Sequence, residues 1–465
     1  MGPVTGRFDG SRLDVRAAVS ERTAIDLRAI AAFRVAIGAI LLVDLLLRSR
    51  SVVAFYSDDG VLPRETLVAL YPTLSRLSLH ALSGSVTYQV ALFVFAGAVA
   101  VSLLVGYRAR LAAVLSFVLL VSLQTRNYAV LNGGDTVLLL LCFFAVFLPL
   151  SERWAVDAVG REVTRARISG IVPATLLVQI VLVYATNAVF KLRGDAWLAG
   201  DAIHRILSVD RYATPIGAAL TASPPLLSVL TWLWLGLLVA SPLLLATTGR
   251  RRGALATAFV VAHVGMAVTM PLGLFPAAMI AGLLLFLPAA LWDVVEAQLR
   301  SAGFDTSTDD RVVRSRHRLR TACFAVLLAG SVGWQLLAVG AVATPERAPV
   351  DPVDHSWELF APEPPSTEGW YVVSASLSDG SAVDARRLAP VSWDRPPDAY
   401  ETTRWRKYLT ALRSGDDRRV AAFADYYCVQ TDDRTAASVT SVTVYFVERA
   451  SDGETSQVEL GEYDC

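Results

Sequence analysis

Two lysines stand out in this chain, because almost all of its positive charge comes from arginine. Of the 42 basic residues only Lys191 and Lys407 are lysines. Arginine keeps its proton under all accessible conditions, whereas a buried amine can lose its proton and then act as a base or a nucleophile. Lys191 follows a long apolar segment, where the chain enters a polar loop. The residue type and position predict either a general base or a snorkelling anchor at a helix end.

Four other residues could share a site with Lys191. Tyr184, Asn187 and Lys191 are spaced at about one helical turn, so one helix face can present all three. Trp197 lies just beyond them, and His263 is the histidine placed well inside another apolar segment. An imidazole at that depth is either a hydrogen-bonded core group or a proton-transfer site. We expect the five side chains to line a cavity that opens outward, with Lys191 partly neutral.

The composition predicts a polytopic helical membrane protein. Hydrophobic residues make up 54% of the 465 residues and charged residues 18%. The formal net charge is zero, so the charge does not suggest a surface that binds nucleic acid. Segments of about 20 apolar residues suit a bilayer. We predict about nine spans, at residues 27–47, 87–106, 109–124, 136–150, 171–190, 224–246, 254–270, 272–292 and 320–343.

Arginine in the loops predicts the orientation. One set of alternate loops, which includes the amino-terminal segment, holds most of the loop arginines, and such loops usually remain in the cytoplasm. This predicts a cell-membrane protein with a cytoplasmic segment at residues 1–24 and a membrane domain at 25–345. Lys191 would then lie near the outer face, and residues 346–465 would lie outside.

The last 120 residues differ in pattern. A proline-rich linker is followed by alternating apolar and polar residues, which predict hairpins at 370–388 and 442–463, the second with a turn at 451–453. Helices are predicted at 399–412 and 418–427. Residues 346–465 are therefore expected to form a small α+β domain. Cys428 and Cys465 share this region and could form a disulfide, whereas no cysteine spacing indicates a metal site.

Charged and polar residues near the spans raise further possibilities. Arg34 and Asp44 both lie in the first span and cannot pair with each other, so each needs a partner elsewhere. Asp135 lies just before the fourth span, where it could cap the helix. Asp58 and Asp59 form an acidic pair in the first outer loop that could bind a metal and phosphate.

Several of these segments carry a resemblance to a known family. The segment from Lys191 to Gly200 resembles the lysine-to-Trp-x-x-Gly motif of the vitamin K-dependent γ-carboxylases and of the wider group of HTTM-domain membrane proteins. His263 with the turn at 271–275 is similar to that family's histidine and Gly-x-Phe turn. Arg34 and residues 56–63 and 147–157 also resemble landmarks of the HTTM group. The resemblance covers about residues 25–345 and implies a helical bundle with an outward-facing cavity.

The resemblance implies a chemistry for the site. In the carboxylases the matching lysine deprotonates a quinol, which reacts with oxygen to give a strong base that removes a γ-proton from glutamate. Lys191 would then be the base, His263 a second catalytic residue, and Tyr184, Asn187 and Trp197 would bind a reduced quinone of the menaquinone or vitamin K type. The sequence departs from the carboxylases around residues 132–135, where their histidine is missing, and in its shorter carboxyl-terminal domain.

Three functional classes follow. The first is quinol-linked carboxylase or epoxidase chemistry with Lys191 as the general base. The second is a non-enzymatic membrane protein that supports maturation or export of a peptide. The third is a lipid-linked glycosyltransferase that uses the acidic pair at Asp58. The expected partners are the lipid bilayer and an exported protein or peptide, and no nucleic acid.

Overall fold

The structure is a computed structural model that describes most of the chain. It covers residues 10–160, 166–301, 312–314, 318–344, 350–353, 356–365, 367–396, 399–413, 416–449 and 454–465. Residues 1–9 of the predicted cytoplasmic segment, part of the proline-rich linker, and the turn predicted at 451–453 lie outside these ranges.

Helices make up most of the chain before the linker. They are α1 Gly10–Thr23, α2 Leu27–Ser49, α3 Val52–Tyr56, α4 Arg64–Leu70, α5 Pro72–Ser75, α6 Val86–Val105, α7 Ala109–Arg126, α8 Gly133–Ala145, α9 Ile171–Lys191, α10 Asp195–Ala199, α11 Ala202–Leu207, α12 Pro215–Leu220, α13 Pro224–Ala240, α14 Leu243–Ala246, α15 Gly249–Thr269, α16 Phe275–Leu283, α17 Ala289–Ser301 and α18 Arg318–Ala338.

The predicted nine spans are not confirmed. Within the described residues, six helices are long and apolar enough to cross a membrane, namely α2, α6, α7, α9, α15 and α18. The predicted eighth span is interrupted, because its two helical parts meet at an angle of 104°, and counting the pair as one span gives at most seven. The predicted fourth and sixth spans correspond to α8 and α13, which are shorter apolar helices. Hydropathy detected all nine apolar segments, but it did not reveal where each helix ends.

Local chemistry explains where α8 begins. The side chain of Asn132 accepts a hydrogen bond from the Gly134 N–H at 2.7 Å, and the Asp135 carboxylate accepts one from the Asn132 N–H at 2.8 Å. This reciprocal pair is a capping box, which satisfies amide groups that the first helical turn leaves unpaired. The predicted cap at Asp135 is confirmed.

A short sheet lies at one end of the bundle. Strands β1 Ile25–Asp26, β2 Arg167–Ser169 and β3 Val312–Arg314 are in the order β1-β2-β3, with β1 antiparallel and β3 parallel to β2. The sheet joins chain segments that are far apart in sequence and places α9 directly after β2.

The carboxyl-terminal part has the predicted α+β composition. Five antiparallel strands follow the order β6-β5-β4-β7-β8, and two helices accompany them. The elements are β4 Glu368–Leu377, β5 Ala382–Asp384, β6 Ala389–Pro390, α19 Thr403–Arg413, α20 Asp417–Asp432, β7 Val439–Arg449 and β8 Thr455–Asp464. The suggested disulfide between Cys428 and Cys465 is present and connects α20 to the last residue of the chain.

This carboxyl-terminal part shares a hydrophobic core with the membrane helices. Phe55 and Tyr56 of α3 lie in the same buried cluster as Trp405 and Tyr408 of α19. The Phe55 and Trp405 rings are 4.6 Å apart, and the Tyr408 hydroxyl donates a hydrogen bond to the Val61 carbonyl at 2.8 Å. The sheet and its helices are therefore docked firmly onto the end of the bundle that also carries Lys191.

Candidate functional site

The candidate site lies at the end of α9. Tyr184, Asn187 and Lys191 are all buried on this helix, as the one-turn spacing predicts, and Lys191 is its last residue. Only 2% of the Lys191 surface is exposed. The chain then turns through Gly194 into α10, which brings Trp197 back over the end of α9.

The Lys191 amine is surrounded by uncharged groups. Its Nζ atom lies 3.7 Å from the centroid of the Trp197 ring and donates a hydrogen bond of 2.6 Å to the Leu359 carbonyl. Among the described residues no carboxylate forms an ion pair with it; the ion pairs involve arginine throughout. A buried ammonium without a carboxylate is costly, whereas an aromatic ring and a carbonyl oxygen both favour the charged form. The surroundings therefore do not commit the group to one protonation state.

The mouth of the site is closed by the linker. Asn187 Nδ2 donates a hydrogen bond to the Trp357 carbonyl at 2.8 Å, and Trp197 Nε1 donates one to the Phe360 carbonyl at 2.9 Å. Together with the bond from Lys191 to Leu359, these contacts hold residues 357–360 across the site. The expected outward-open cavity is therefore filled by the chain itself. The sequence marks this segment only as a linker, although it carries three large apolar residues close together, Trp357, Leu359 and Phe360.

His263 lies deeper, against Tyr184. The two ring centroids are 5.8 Å apart in an edge-to-face arrangement, and the rings of Phe259, Trp234 and Phe275 surround them. His263 Nδ1 lies 2.8 Å from the Phe259 carbonyl. This contact assigns the proton to Nδ1 and leaves Nε2 with a lone pair. Among the described residues, neither His263 Nε2 nor the Tyr184 hydroxyl has a hydrogen-bond partner, and both are buried. Buried polar groups of this kind often indicate a ligand or a water molecule.

The five predicted site residues thus form two layers. Lys191, Asn187 and Trp197 form the outer layer under the linker, and Tyr184 and His263 form the inner layer. Tyr184 and Lys191 are seven residues apart on one helix, which corresponds to about 10 Å along its axis. Tyr184 links the two layers, because it shares α9 with Lys191 and contacts His263.

A buried charge network flanks the site. Arg48 Nε lies 2.7 Å from an Asp44 carboxylate oxygen, and another Arg48 nitrogen bonds to Asp135. Arg404 of α19 contacts both Asp44 and Asp135. The partner that Asp44 required is therefore a pair of arginines, one of them 360 residues away. Two carboxylates and two guanidinium groups balance each other.

The other intramembrane arginine has a structural role. Arg34 Nη1 donates hydrogen bonds to the carbonyls of Leu150 and Arg153 at 2.8 and 3.2 Å, and Nη2 bonds to the Trp154 carbonyl. Arg34 thus secures the loop that follows α8.

Lys407, the second lysine, is half-buried on α19. Burial and the Arg406 guanidinium together hold the pKa of the Lys407 amine below its usual value, although the Asp135 carboxylate acts in the opposite direction. Lys407 lies outside the two layers and therefore provides an internal comparison for Lys191.

Asp58, the first residue of the acidic pair, forms ion pairs with arginine. One Asp58 oxygen lies 2.8 Å from Arg64 Nε, and the other accepts a hydrogen bond from the Arg64 N–H at 3.0 Å. Arg126 approaches the same carboxylate at 3.9 Å. Within the described part of the chain no group of three or more His, Cys, Asp or Glu residues could hold a metal ion. The geometry at Asp58 therefore adds no support for a metal-dependent glycosyltransferase.

Comparison with known proteins identifies the class. The bundle of long apolar helices is typical of an integral membrane protein, and the lysine site lies at one end of this bundle. The model of the HTTM domain family matches residues 23–292, more than half of the chain, and this chain belongs to that family. The matched range contains all five site residues and ends before the linker. No curated protein and no solved structure gives a significant match.

Proposed function

We propose that this HTTM-domain protein is a membrane enzyme that removes a proton from a weakly acidic hydroxyl of a lipid-soluble ligand, with Lys191 as the general base. The ligand class is a reduced quinone of the menaquinone or vitamin K type. The observation that carries the proposal is a fully buried amine whose nearest partners are a carbonyl oxygen and an indole ring.

The Lys191 environment suits a group that gains and loses a proton. Burial without a carboxylate favours the neutral amine, which can accept a proton from a ligand hydroxyl. Once protonated, the ammonium is stabilised by the Trp197 ring and by a carbonyl acceptor. An arginine at this position would stay charged and could not act as a base.

The inner layer supplies a complementary set of groups. His263 Nε2 offers a lone pair and Tyr184 offers a hydroxyl, and neither has a hydrogen-bond partner in the described part of the chain. Aromatic side chains around them form an apolar lining, and such sites typically combine an apolar lining with a few polar groups. This combination fits an aromatic ring that carries a hydroxyl at each end. A reduced quinone would supply a weakly acidic hydroxyl and two electrons, and His263 and Tyr184 would orient its ring.

The location of the site is part of the proposal. Arginine asymmetry supports a cell-membrane protein with a cytoplasmic amino terminus and with Lys191 and residues 346–465 on the outer side. Labelling of engineered cysteines with an impermeant reagent in intact cells tests this orientation. Labelling near Arg251 but not near Asp416 would contradict it.

A direct test uses a naphthoquinol with a short isoprenoid tail and the full-length protein in lipid nanodiscs under anaerobic conditions. Ultraviolet absorbance distinguishes the quinol from its anion. We expect the wild-type protein to stabilise the anion at a pH at which the free quinol is neutral. Lys191→Arg should bind the quinol without forming the anion, whereas the matched control Lys407→Arg should behave like the wild type. Equal anion formation by Lys191→Arg, or no quinol binding by the wild type, would refute the proposal.

One observation favours a second function. The outer layer holds an irregular chain segment through three main-chain carbonyls, and main-chain hydrogen bonds of this kind can bind a peptide without reading its side chains. This supports the alternative of a non-enzymatic protein that assists maturation or export of a peptide. A synthetic peptide with the sequence of residues 356–363 provides the probe. Its specific binding by a protein that shows no quinol binding would favour this alternative.

A further inference from the structure

We propose that residues 356–363, here called the strap, close the Lys191 site and must lift before a ligand can reach it. The inference rests on the proposed function only for the nature of the ligand. The closure itself is a matter of contacts between the strap and the outer layer.

The strap uses the polar groups that a ligand would need. Carbonyls of Trp357, Leu359 and Phe360 take the hydrogen bonds of Asn187, Lys191 and Trp197. A ligand that accepts hydrogen bonds from these three side chains must replace the carbonyls of the strap. The strap and such a ligand therefore compete for the same donors.

The strap is attached in a way that permits release. The segment contains turns and bends but no helix or strand, so it can move without breaking a hydrogen-bond ladder. Its far end has only long polar contacts. One Glu363 carboxylate oxygen accepts a hydrogen bond from the Ala196 N–H at 3.4 Å, and the other oxygen lies 3.9 Å from an Arg205 nitrogen. The Phe360 ring packs edge-on against Tyr212 with centroids 5.1 Å apart. The residues of 356–360 are all partly exposed.

Gly194 makes the close approach of the strap possible. A Cβ atom at this position would lie 1.9 Å from the Pro362 carbonyl oxygen and 2.7 Å from its carbon. Such distances are impossible between real atoms, so an alanine here must displace the backbone of the strap. The φ angle of Gly194 is −98°, which alanine adopts readily, and the local turn itself is therefore not strained. Gly194→Ala should therefore displace the strap by steric clash and leave the turn at residue 194 unstrained.

The shortage of lysines makes the test simple. Lys191 and Lys407 carry the only lysine amines in the chain, so an amine-reactive reagent followed by peptide mass spectrometry measures each site separately. In the full-length wild-type protein we expect Lys191 to react much more slowly than Lys407. Gly194→Ala should accelerate labelling of Lys191 by about tenfold or more relative to Lys407, because local opening controls access to buried groups.

The matched control is Gly236→Ala on α13, where an added Cβ meets no atom of the described residues within 4 Å. It should leave both labelling rates unchanged. Phe360→Ala loosens the strap without touching the end of α9, and it decides the question if Gly194→Ala does not fold. Fast labelling of Lys191 in the wild type, or unchanged labelling in folded Gly194→Ala or Phe360→Ala, would overturn the inference.

The two proposals fail separately. Faster labelling of Lys191 in Gly194→Ala, without quinol anion formation by the wild type, would support the strap and refute Lys191 as the base. Anion formation by the wild type, with unchanged labelling of Lys191 in both strap variants, would support Lys191 as the base and refute the strap.

Discussion

Removal of Arg404 tests whether the carboxyl-terminal part depends on the buried charge network. Arg404 contacts the carboxylates of Asp44 and Asp135, and its side chain is only 12% exposed. Arg404→Met keeps much of the apolar stem but leaves two carboxylates with one guanidinium, that of Arg48. Breaking a buried ion pair by removing one partner typically costs about 3–5 kcal/mol.

An exposed ion pair in the same region supplies the control. Arg413 and Glu448 are 2.9 Å apart, but the Arg413 side chain is 52% exposed. Exposed pairs contribute about 0–1 kcal/mol. Arg413→Met should therefore have a much smaller effect than Arg404→Met, although both remove one arginine from α19.

A second substitution should partly rescue the first. In Arg404→Met the remaining charges are Asp44, Asp135 and Arg48, with a net charge of −1. Adding Asp44→Asn returns the network to neutrality, so the double variant should lose less stability than the two single variants together. Coupling between contacting charges is on the order of 1–3 kcal/mol.

The assay is thermal unfolding of the purified protein followed by tryptophan fluorescence, together with limited proteolysis near the linker. Arg404→Met should unfold at a clearly lower temperature than Arg413→Met and release the carboxyl-terminal part sooner. Equal unfolding temperatures for the two variants, or strict additivity in the double variant, would refute this account of the network.

Three further outcomes are expected. Burial lowers the pKa of His80 to about 3, below the value of about 6.5 in the unfolded chain. The folded state therefore resists protonation of this ring, and the free energy of unfolding should fall by about 2 kcal/mol between pH 7 and pH 5. His80→Gln should not show this loss. Cys428→Ser removes the disulfide to Cys465, which closes a loop of 37 residues. The free energy of unfolding should fall by about 4 kcal/mol, as measured by denaturation with and without a reductant. Gly38→Ala would place a Cβ 2.8 Å from the backbone of α6, whereas a Cβ at Gly97 meets no described atom within 4 Å. Only Gly38→Ala should therefore lower the stability, by about 1–3 kcal/mol, as measured by thermal unfolding.

Local patterns in the sequence determined the element types. Runs of apolar residues predicted the helices, alternation predicted strands β4, β7 and β8, and the residues Asn132 to Asp135 predicted a helix cap. These features depend on neighbours within a few positions, because helix and strand periodicity and capping are local properties. The one-turn spacing of Tyr184, Asn187 and Lys191 likewise predicted a shared helix face.

Only the tertiary structure decided how these elements meet. Asp44 pairs with Arg404 across 360 residues, and the Lys191 amine bonds to a carbonyl 168 residues away. Hydropathy also could not show that α8 and α13 are short, or that the eighth apolar segment bends, since the end of a helix depends on what it packs against. A main-chain carbonyl is present in every residue, so no sequence pattern could mark Leu359 as the partner of Lys191. The residue types of the candidate site were readable from the sequence, whereas the contacts that residues 357–360 make with it depend on backbone placement.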